Sequence, residues 1–342
     1  MAPPDLHAAA REGTFADLPA DSLTSENLLR ANASGNTAIH LAAKYGTLRL
    51  LPAAALTADL LLRKNDAGYT ALHLAARGGH LDQIPTALLN RENLLSRTNS
   101  GYTALHLAAS SGALDQLPTG LLTSDLALTK TDHGNTLLHE AAEAGTLDRF
   151  PRHFLSDANV TASNISGETV LHVAALNGHL DQIPAEFLTP ANLLSKTSNL
   201  DTVLHAAAIA GHLDQIPVAV LTPENLLLGS KSGYTAIHAA AESGYLAQIP
   251  RDHLTIDLLL SRNDYGDTPF HAAAVNGHLD QIPREFFNRS TVLIRNYNGG
   301  TPLGAALRHG HLDQIPAEFR PKPPGLVRRL LIKAGLSRPP NV

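Results

Sequence analysis

Histidine is the residue type that first invites a chemical reading. It stands at His7, His40, His73, His106, His139, His172, His205, His238 and His271, always 33 residues apart. Imidazole binds zinc and moves protons near neutral pH. Ser and Asp are plentiful too, so nucleophilic catalysis has to be weighed. Spacing argues against a shared ion. If the repeating elements stack at a helix packing distance of ~8–10 Å, successive rings lie about 10 Å apart. Zinc needs its ligands at ~2.0–2.1 Å, which neighbouring rings cannot supply. A second set, His80, His179, His212, His278 and His311, follows a glycine and is expected to cap a short helix. No Gly-rich phosphate loop or nucleophile elbow accompanies either set. There is no Cys, so disulfides, thiolate metal sites and a cysteine nucleophile are excluded. The chain therefore reads as a non-enzyme with no metal and no cofactor.

The elements that hold these histidines repeat as they do. Gly recurs six residues after the His slot, from Gly13 to Gly310, and Pro twelve after it, from Pro19 to Pro316, ten times each. The tenth His slot holds Gly304. Such self-similarity overrides a domain count based on length. "TALHLAARGG" carries Ala and Leu at helical spacing, and the Gly sits where a helix ends in a left-handed residue. "HLDQI" then has room for about one turn before a Pro that cannot donate an N–H and pushes its predecessor out of the α region. A new turn is expected to start with that Pro at its first position. "TPENLL" is a third start, with Thr as N-cap and Pro at the first position. The outer half of each unit should thus be two or three short turns, broken at every Pro.

These residues resemble the ankyrin repeat, whose period is 33 and whose helix starts "T-P-L-H-x-A". The matches read "TALHLAA", "TAIHLAA", "TVLHVAA" and "TPFHAAA", and they span residues 1 to about 316. Only Pro269 and Pro302 occupy the family's Pro slot, and the long second helix is replaced by "LDQIP…LTPENLL". The resemblance implies an all-α solenoid of about ten stacked units with short hairpin loops. It would comprise an N-terminal capping half-unit (1–34), eight full repeats (35–298, starting at 35, 68, 101, 134, 167, 200, 233 and 266) and a C-terminal partial repeat (299–342). The last contains a basic capping helix, 325–335. The resemblance also implies that the slot histidines are structural, tying the hairpin to the helix, and that a partner protein binds the concave hairpin and inner-helix surface.

Composition is consistent with a folded chain: 44% of residues are hydrophobic and 17% charged, which is not the balance of a disordered segment. No apolar run reaches the ~18 residues of a membrane span, and the first residues lack a secretory pattern, so a cytoplasmic monomer is expected. Net charge is −5. Residues 320–342 hold six basic residues and no acid, and taking those six away leaves −11 for the remainder. An acidic body does not suit nucleic acid. The second reading, from the basic tail, is a spacer or tether that touches a membrane or an acidic partner.

The aromatics locate the candidate surface. The eight Phe fall where other units have aliphatic residues, and are expected in the core. Of the seven Tyr, Tyr69, Tyr102 and Tyr234 sit between the hairpin Gly and Thr, Tyr265 and Tyr297 just before that Gly, and Tyr45 at the end of an inner helix. Tyr245, which follows the helix-ending Gly, fits none of these slots. Two patches result. Tyr45, Tyr69 and Tyr102 with Lys44 and Arg77 make a basic one; Tyr234, Tyr265 and Tyr297 with Glu242, Asp264 and Asp267 make an acidic one. Two readings of these tyrosines stand: a Tyr of "GYT" stacks on the next hairpin, or, since exposed Tyr is a common interface anchor, it belongs to a binding surface. The units between carry Glu140, Glu143, Glu168 and Asp201 instead.

Overall fold

The computed structural model describes residues 5–321; the basic helix expected at 325–335 lies outside them. The chain divides into two compact bodies, Met1–Phe187 and Leu188–Val342. Both are built from one eight-residue helix per repeat, the first helix being a residue shorter. In the N-terminal body these are α1 (Leu6–Glu12), α2 (Ala38–Tyr45), α3 (Ala71–Gly78), α4 (Ala104–Ser111), α5 (Leu137–Ala144) and α6 (Val170–Asn177). In the C-terminal body they are α7 (Val203–Ala210), α8 (Ala236–Ser243), α9 (Pro269–Asn276) and α10 (Pro302–His309). Within each body every helix packs on the next. The described residues contain no strand, only isolated bridges at Ser163–Thr169 and Gly229–Thr235.

Each helix is bounded by residues visible in the sequence. Thr37 caps α2 by accepting from the His40 N–H, and Gly46 ends it at φ 73°, the left-handed geometry that glycine adopts without a Cβ penalty. Close packing follows from the methyls: Ala42, Ala75, Ala108, Ala141 and Ala174 are wholly buried in the N-terminal body, as are Ala207, Ala240, Ala273 and Ala306 in the C-terminal one. Of the phenylalanines, Phe15, Phe150, Phe154, Phe270 and Phe287 are buried. Phe187, Phe286 and Phe319, which close short turns, are only half-buried.

The outer half is broken as expected. Leu81–Gln83 forms one 3-10 turn, Ile84 is extended, Thr86–Leu88 forms a second, and Arg91–Leu94 a four-residue helix. One detail differs from expectation. Pro85 is not the first residue of the new turn but its cap, at φ −54° and ψ 127°, with its carbonyl accepting from Leu88 N–H at 2.8 Å. Its ring fixes φ, and its extended ψ turns the chain. "TPENLL" forms as read: Thr222 accepts from Asn225 N–H, and Pro223 opens Pro223–Leu226. Asn225 then reaches back to the Val220 carbonyl at 2.8 Å, as Asn93 does to Leu88 at 3.0 Å.

Within each body, two side chains reach back from several repeats to the one before. The Gln of "LDQ" bridges the preceding repeat. Gln182 Nε2 donates to the Gly145 carbonyl at 3.0 Å, and its Oε1 accepts from Leu147 N–H at 2.9 Å. Gln83 and Gln116 donate to Gly46 and Gly79 in the same way, and Gln248 and Gln314 to Gly211 and Gly277. A carboxamide has both a donor and an acceptor, which is what two unpaired backbone groups at a helix end require.

The second histidine set also acts across repeats, which corrects the capping expectation. His80 makes no side-chain cap bond; its ring lies where a Cβ on Gly46 would be, 2.8 Å away. His179 lies over Gly145 likewise, and its Nδ1 bonds the Ala142 carbonyl at 2.8 Å. Tyr245 takes the same place over Gly211, which is why it fits none of the surface slots.

One hairpin breaks the glycine rule. The hairpin Gly of other repeats has positive φ, for example Gly68 at 82°, but this slot holds Leu200 at φ 66°. A left-handed conformation costs a Leu ~1–2 kcal/mol. Leu200 is 40% exposed, so little packing offsets that strain. Leu200→Gly should raise stability by up to about 1 kcal/mol, part of the relief being lost to the freer unfolded chain. A urea midpoint at or below wild type would contradict this.

Candidate functional site

The slot histidines come first, because they position the surface. Thr37 N–H and its hydroxyl both point at His40 Nδ1, at 3.2 and 2.8 Å. Nδ1 is therefore an acceptor and Nε2 carries the proton, which it donates to the Tyr69 carbonyl one repeat on, at 3.1 Å. The pattern recurs from His139 to Glu168, His205 to Tyr234, His238 to Asp267 and His271 to Gly300. His73 and His106 turn instead to Ser96 and Thr129. With both nitrogens engaged, these rings have no lone pair to offer a metal. No group of three or more His, Asp or Glu able to hold a metal occurs among the described residues. Burial holds His40, His205, His238 and His271 below the ordinary imidazole range, and pulls His73, His106 and His139 down to about 4.

At Asn36, Tyr69, Glu168, Tyr234 and Asp267 the residue before the capping Thr is thus pinned through its carbonyl by a ring of the preceding repeat. That slot holds Asn36, Tyr69, Tyr102, Asn135 and Glu168 in the N-terminal body, and Asp201, Tyr234, Asp267 and Gly300 in the C-terminal one. Facing it near the helix end is a second slot, with Lys44, Arg77, Glu143, Glu242 and Val275 among its occupants.

In the N-terminal body, Tyr69 and Tyr102 are half-buried, each edge-on to its own repeat's histidine at 6.0 Å between centroids. Tyr45 is exposed, with the Lys44 ammonium 5.2 Å from its ring centroid, and Arg77 is exposed on α3. Tyr102 has acidic company: burial raises its phenol pKa, and so do Glu140 and Glu143. The basic patch therefore gives way to an acidic one at its third tyrosine. Glu140 was not legible as part of it. It is only 6% exposed, accepts from Asn135 Nδ2 at 3.1 Å, and burial pushes its carboxyl up to about 7. Its single signal in the sequence is an acid in a slot otherwise filled by Ala, Leu or Val.

In the C-terminal body, Tyr234, Glu242 and Asp267 meet in one cleft of about 220 Å³, with His238, Asn263, His271, Ala272, Val275 and Asn276. The Tyr234 hydroxyl donates to Glu242, and its ring leans on His238 at 5.3 Å. Burial, then the Glu242 carboxylate, raise the Tyr234 pKa. Asp267 accepts from Asn296 Nδ2 at 2.7 Å. Tyr265, Tyr297 and Asp264 do not line the cleft. They follow the hairpin tips, where Asp264 N–H donates to the Ser232 carbonyl at 2.9 Å and Tyr297 N–H to the Tyr265 carbonyl at 3.0 Å. Tyr265 and Tyr297 are 63% and 71% exposed, and the Tyr297 ring also covers Gly266.

Residues 50–118 match the family model for ankyrin repeats (3 copies). No curated protein matches the chain. No helix among the described residues is long and apolar enough to cross a membrane.

Proposed function

Because the chain is an ankyrin-repeat protein, we propose that it binds a protein partner through its hairpin and inner-helix surface, as a cytoplasmic monomer without chemistry of its own. Ankyrin repeats are in general protein–protein interaction modules and typically non-enzymatic scaffolds. One observation carries the reading here. The carbonyl of the surface slot is held by a buried ring of the preceding repeat, as at Tyr69, Tyr234 and Asp267. The side chains in that slot differ from repeat to repeat while the Thr–His pair beneath them recurs. A surface ordered before contact loses little entropy on association, which is how such a frame supports binding. The division into a capping half-unit (1–34), eight full repeats (35–298) and a closing segment (299–342) belongs to the same proposal.

The acidic patch of Tyr234, Glu242, Asp264, Tyr265, Asp267 and Tyr297 is the favoured contact, and it prefers a basic partner. The basic patch of Lys44, Tyr45, Tyr69, Arg77 and Tyr102 is the second. The test is a pull-down followed by affinity measurement on a triple variant, Tyr234→Ala, Tyr265→Ala and Tyr297→Ala. Affinity should fall by ~2 kcal/mol or more if these are hot spots. Stability should fall by only about 1 kcal/mol, chiefly from the lost Tyr234–Glu242 bond. Undiminished binding by this variant and by its N-terminal counterpart at Tyr45, Tyr69 and Tyr102 would overturn the reading.

A further inference from the structure

We propose that the cleft of the C-terminal body receives an arginine side chain presented by the partner protein. The proposal rests on the binding surface inferred above and names what one part of it recognises. The cleft holds two carboxylates and no Lys or Arg among its lining residues. Each carboxylate is half used, and by a neutral donor. Glu242 Oε2 accepts from the Tyr234 hydroxyl, and Asp267 Oδ1 from Asn296 Nδ2 at 2.7 Å. Neither residue joins an ion pair among the described residues. Both residues line a cleft that has no Lys or Arg of its own. Arg262, beside Asn263 in sequence, is engaged elsewhere: it donates to the Gly266 and Arg295 carbonyls, both at 2.9 Å, and its guanidinium lies 6.0 Å from the Tyr297 ring centroid. The two histidines in the lining add no positive charge near neutral pH, since His238 and His271 spend both nitrogens on neutral bonds.

Shape and chemistry select the occupant. At about 220 Å³ the cleft is smaller than the ~300–1,000 Å³ of pockets for whole ligands, and suits one side chain. Ala272 and Val275 give an apolar strip for an aliphatic stem, and Val275 is 39% exposed. The half-buried Tyr234 ring forms a wall on which a planar cation can stack. A guanidinium has donors on several edges, so it can reach two separate carboxylates while stacked; an ammonium is a point charge and cannot do both as well. Phosphate-bearing partners are repelled by the same two carboxylates.

The test uses the full chain, labelled with nitrogen-15, and blocked amino acids as probes. N-acetyl-arginine methylamide should cause saturable amide shifts at Tyr234, Glu242, Val275 and Asn276, with a dissociation constant in the millimolar range. The citrulline analogue, which keeps the shape and loses the charge, should cause none. Glu242→Gln with Asp267→Asn should weaken arginine binding about tenfold or more, the scale of a lost charged hydrogen bond. Both replacements keep an acceptor oxygen for Tyr234 or Asn296, so the fold should stand, and the denaturation midpoint checks this. Non-saturating shifts, shifts retained by the double variant, or tighter binding of the lysine analogue would each overturn the assignment. If arginine fails while the tyrosine variant still loses its captured partner, this inference falls and the binding surface stands. If arginine binds the cleft while all partners survive the tyrosine changes, the pocket stands and the wider reading falls.

Discussion

Acidification should unfold the N-terminal body between about pH 6.5 and pH 4, before most carboxylates are protonated. The buried imidazoles drive it. His73, His106 and His139 titrate at about 4 in the fold and near 6.5 when unfolded. A folded-state value below the unfolded one means that the unfolded chain binds more protons inside that window. The stability these rings confer is thus fully present above about pH 6.5 and drains away as pH falls toward 4. Each ring accounts for on the order of 3 kcal/mol at the end of the window. Three together approach the whole ~5–15 kcal/mol by which a domain is stable. His40, lowered in the same direction, adds to the slope.

Glu140 works the other way. Its carboxyl is raised to about 7, so its contribution is intact below its unfolded value and is lost as pH rises through 7. Acid relieves this one group while it burdens the rings, and one carboxyl does not offset three imidazoles. Asp125, held at about 2, enters only below its unfolded value of 3.8. The measurement is the urea midpoint by circular dichroism across about pH 8 to 4. It should fall steadily below about pH 6.5. Glu140→Gln, which keeps an acceptor for Asn135, should raise the midpoint progressively above about pH 4.5, with the full gain reached by about pH 7. A midpoint flat from pH 7 to 4.5 would show that protonated rings are tolerated, and with it that the Nδ1 bonds from Thr are not what holds the hairpins.

What the sequence made legible was local. Thr37 three residues before His40, Gly46 six after it and Pro52 twelve after it each act within one turn, so their spacing declares their roles. The contacts that join repeats were not legible, because they link residues 23 to 37 apart. Recurrence of Gln in "LDQ" shows that the residue has a task, but not that its partners are Gly145 and Leu147 in the repeat before. His80 was misread for the same reason: within its own turn it looks like a cap, and the glycine it covers is Gly46. Of the acidic patch, Tyr234, Glu242 and Asp267 were brought into one cleft because they share two slots on successive repeats. The cleft itself was not legible. It depends on Ala272 and Val275 being small enough to leave space beside Tyr234, which is a property of absence at those positions.

Substitution of Ala108 by Leu should damage the N-terminal body more than any comparable surface change. Ala108 is wholly buried on α4, which packs against α3 on one side and α5 on the other. Its counterparts Ala75 and Ala141 on the two neighbouring helices are equally buried, so both joints are lined by methyl groups with no access to solvent. An isobutyl group there needs room that the joints cannot easily give. Thr146 hydroxyl bonds the Ala109 carbonyl across to α4, Ser111 bonds Ala76 at 2.6 Å, and Gln116 bonds Gly79 at 2.8 Å. These ties fix the spacing of the helices, and parting them to admit the side chain loses hydrogen bonds as well as packing. The cost should lie near the top of the ~1–3 kcal/mol range for overpacked cores. In a body of this size that corresponds to a melting temperature lower by about 6–12 °C. Ala144→Leu is the control, since Ala144 is exposed at the end of α5 and should change stability by no more than about 0.5 kcal/mol. Because repeats interact chiefly with their neighbours, amide exchange should accelerate in α3, α4 and α5 while α9 keeps its protection. Melting of the Ala108 variant at the wild-type temperature would mean that the methyl-lined joint is not the close contact on which the stacking depends.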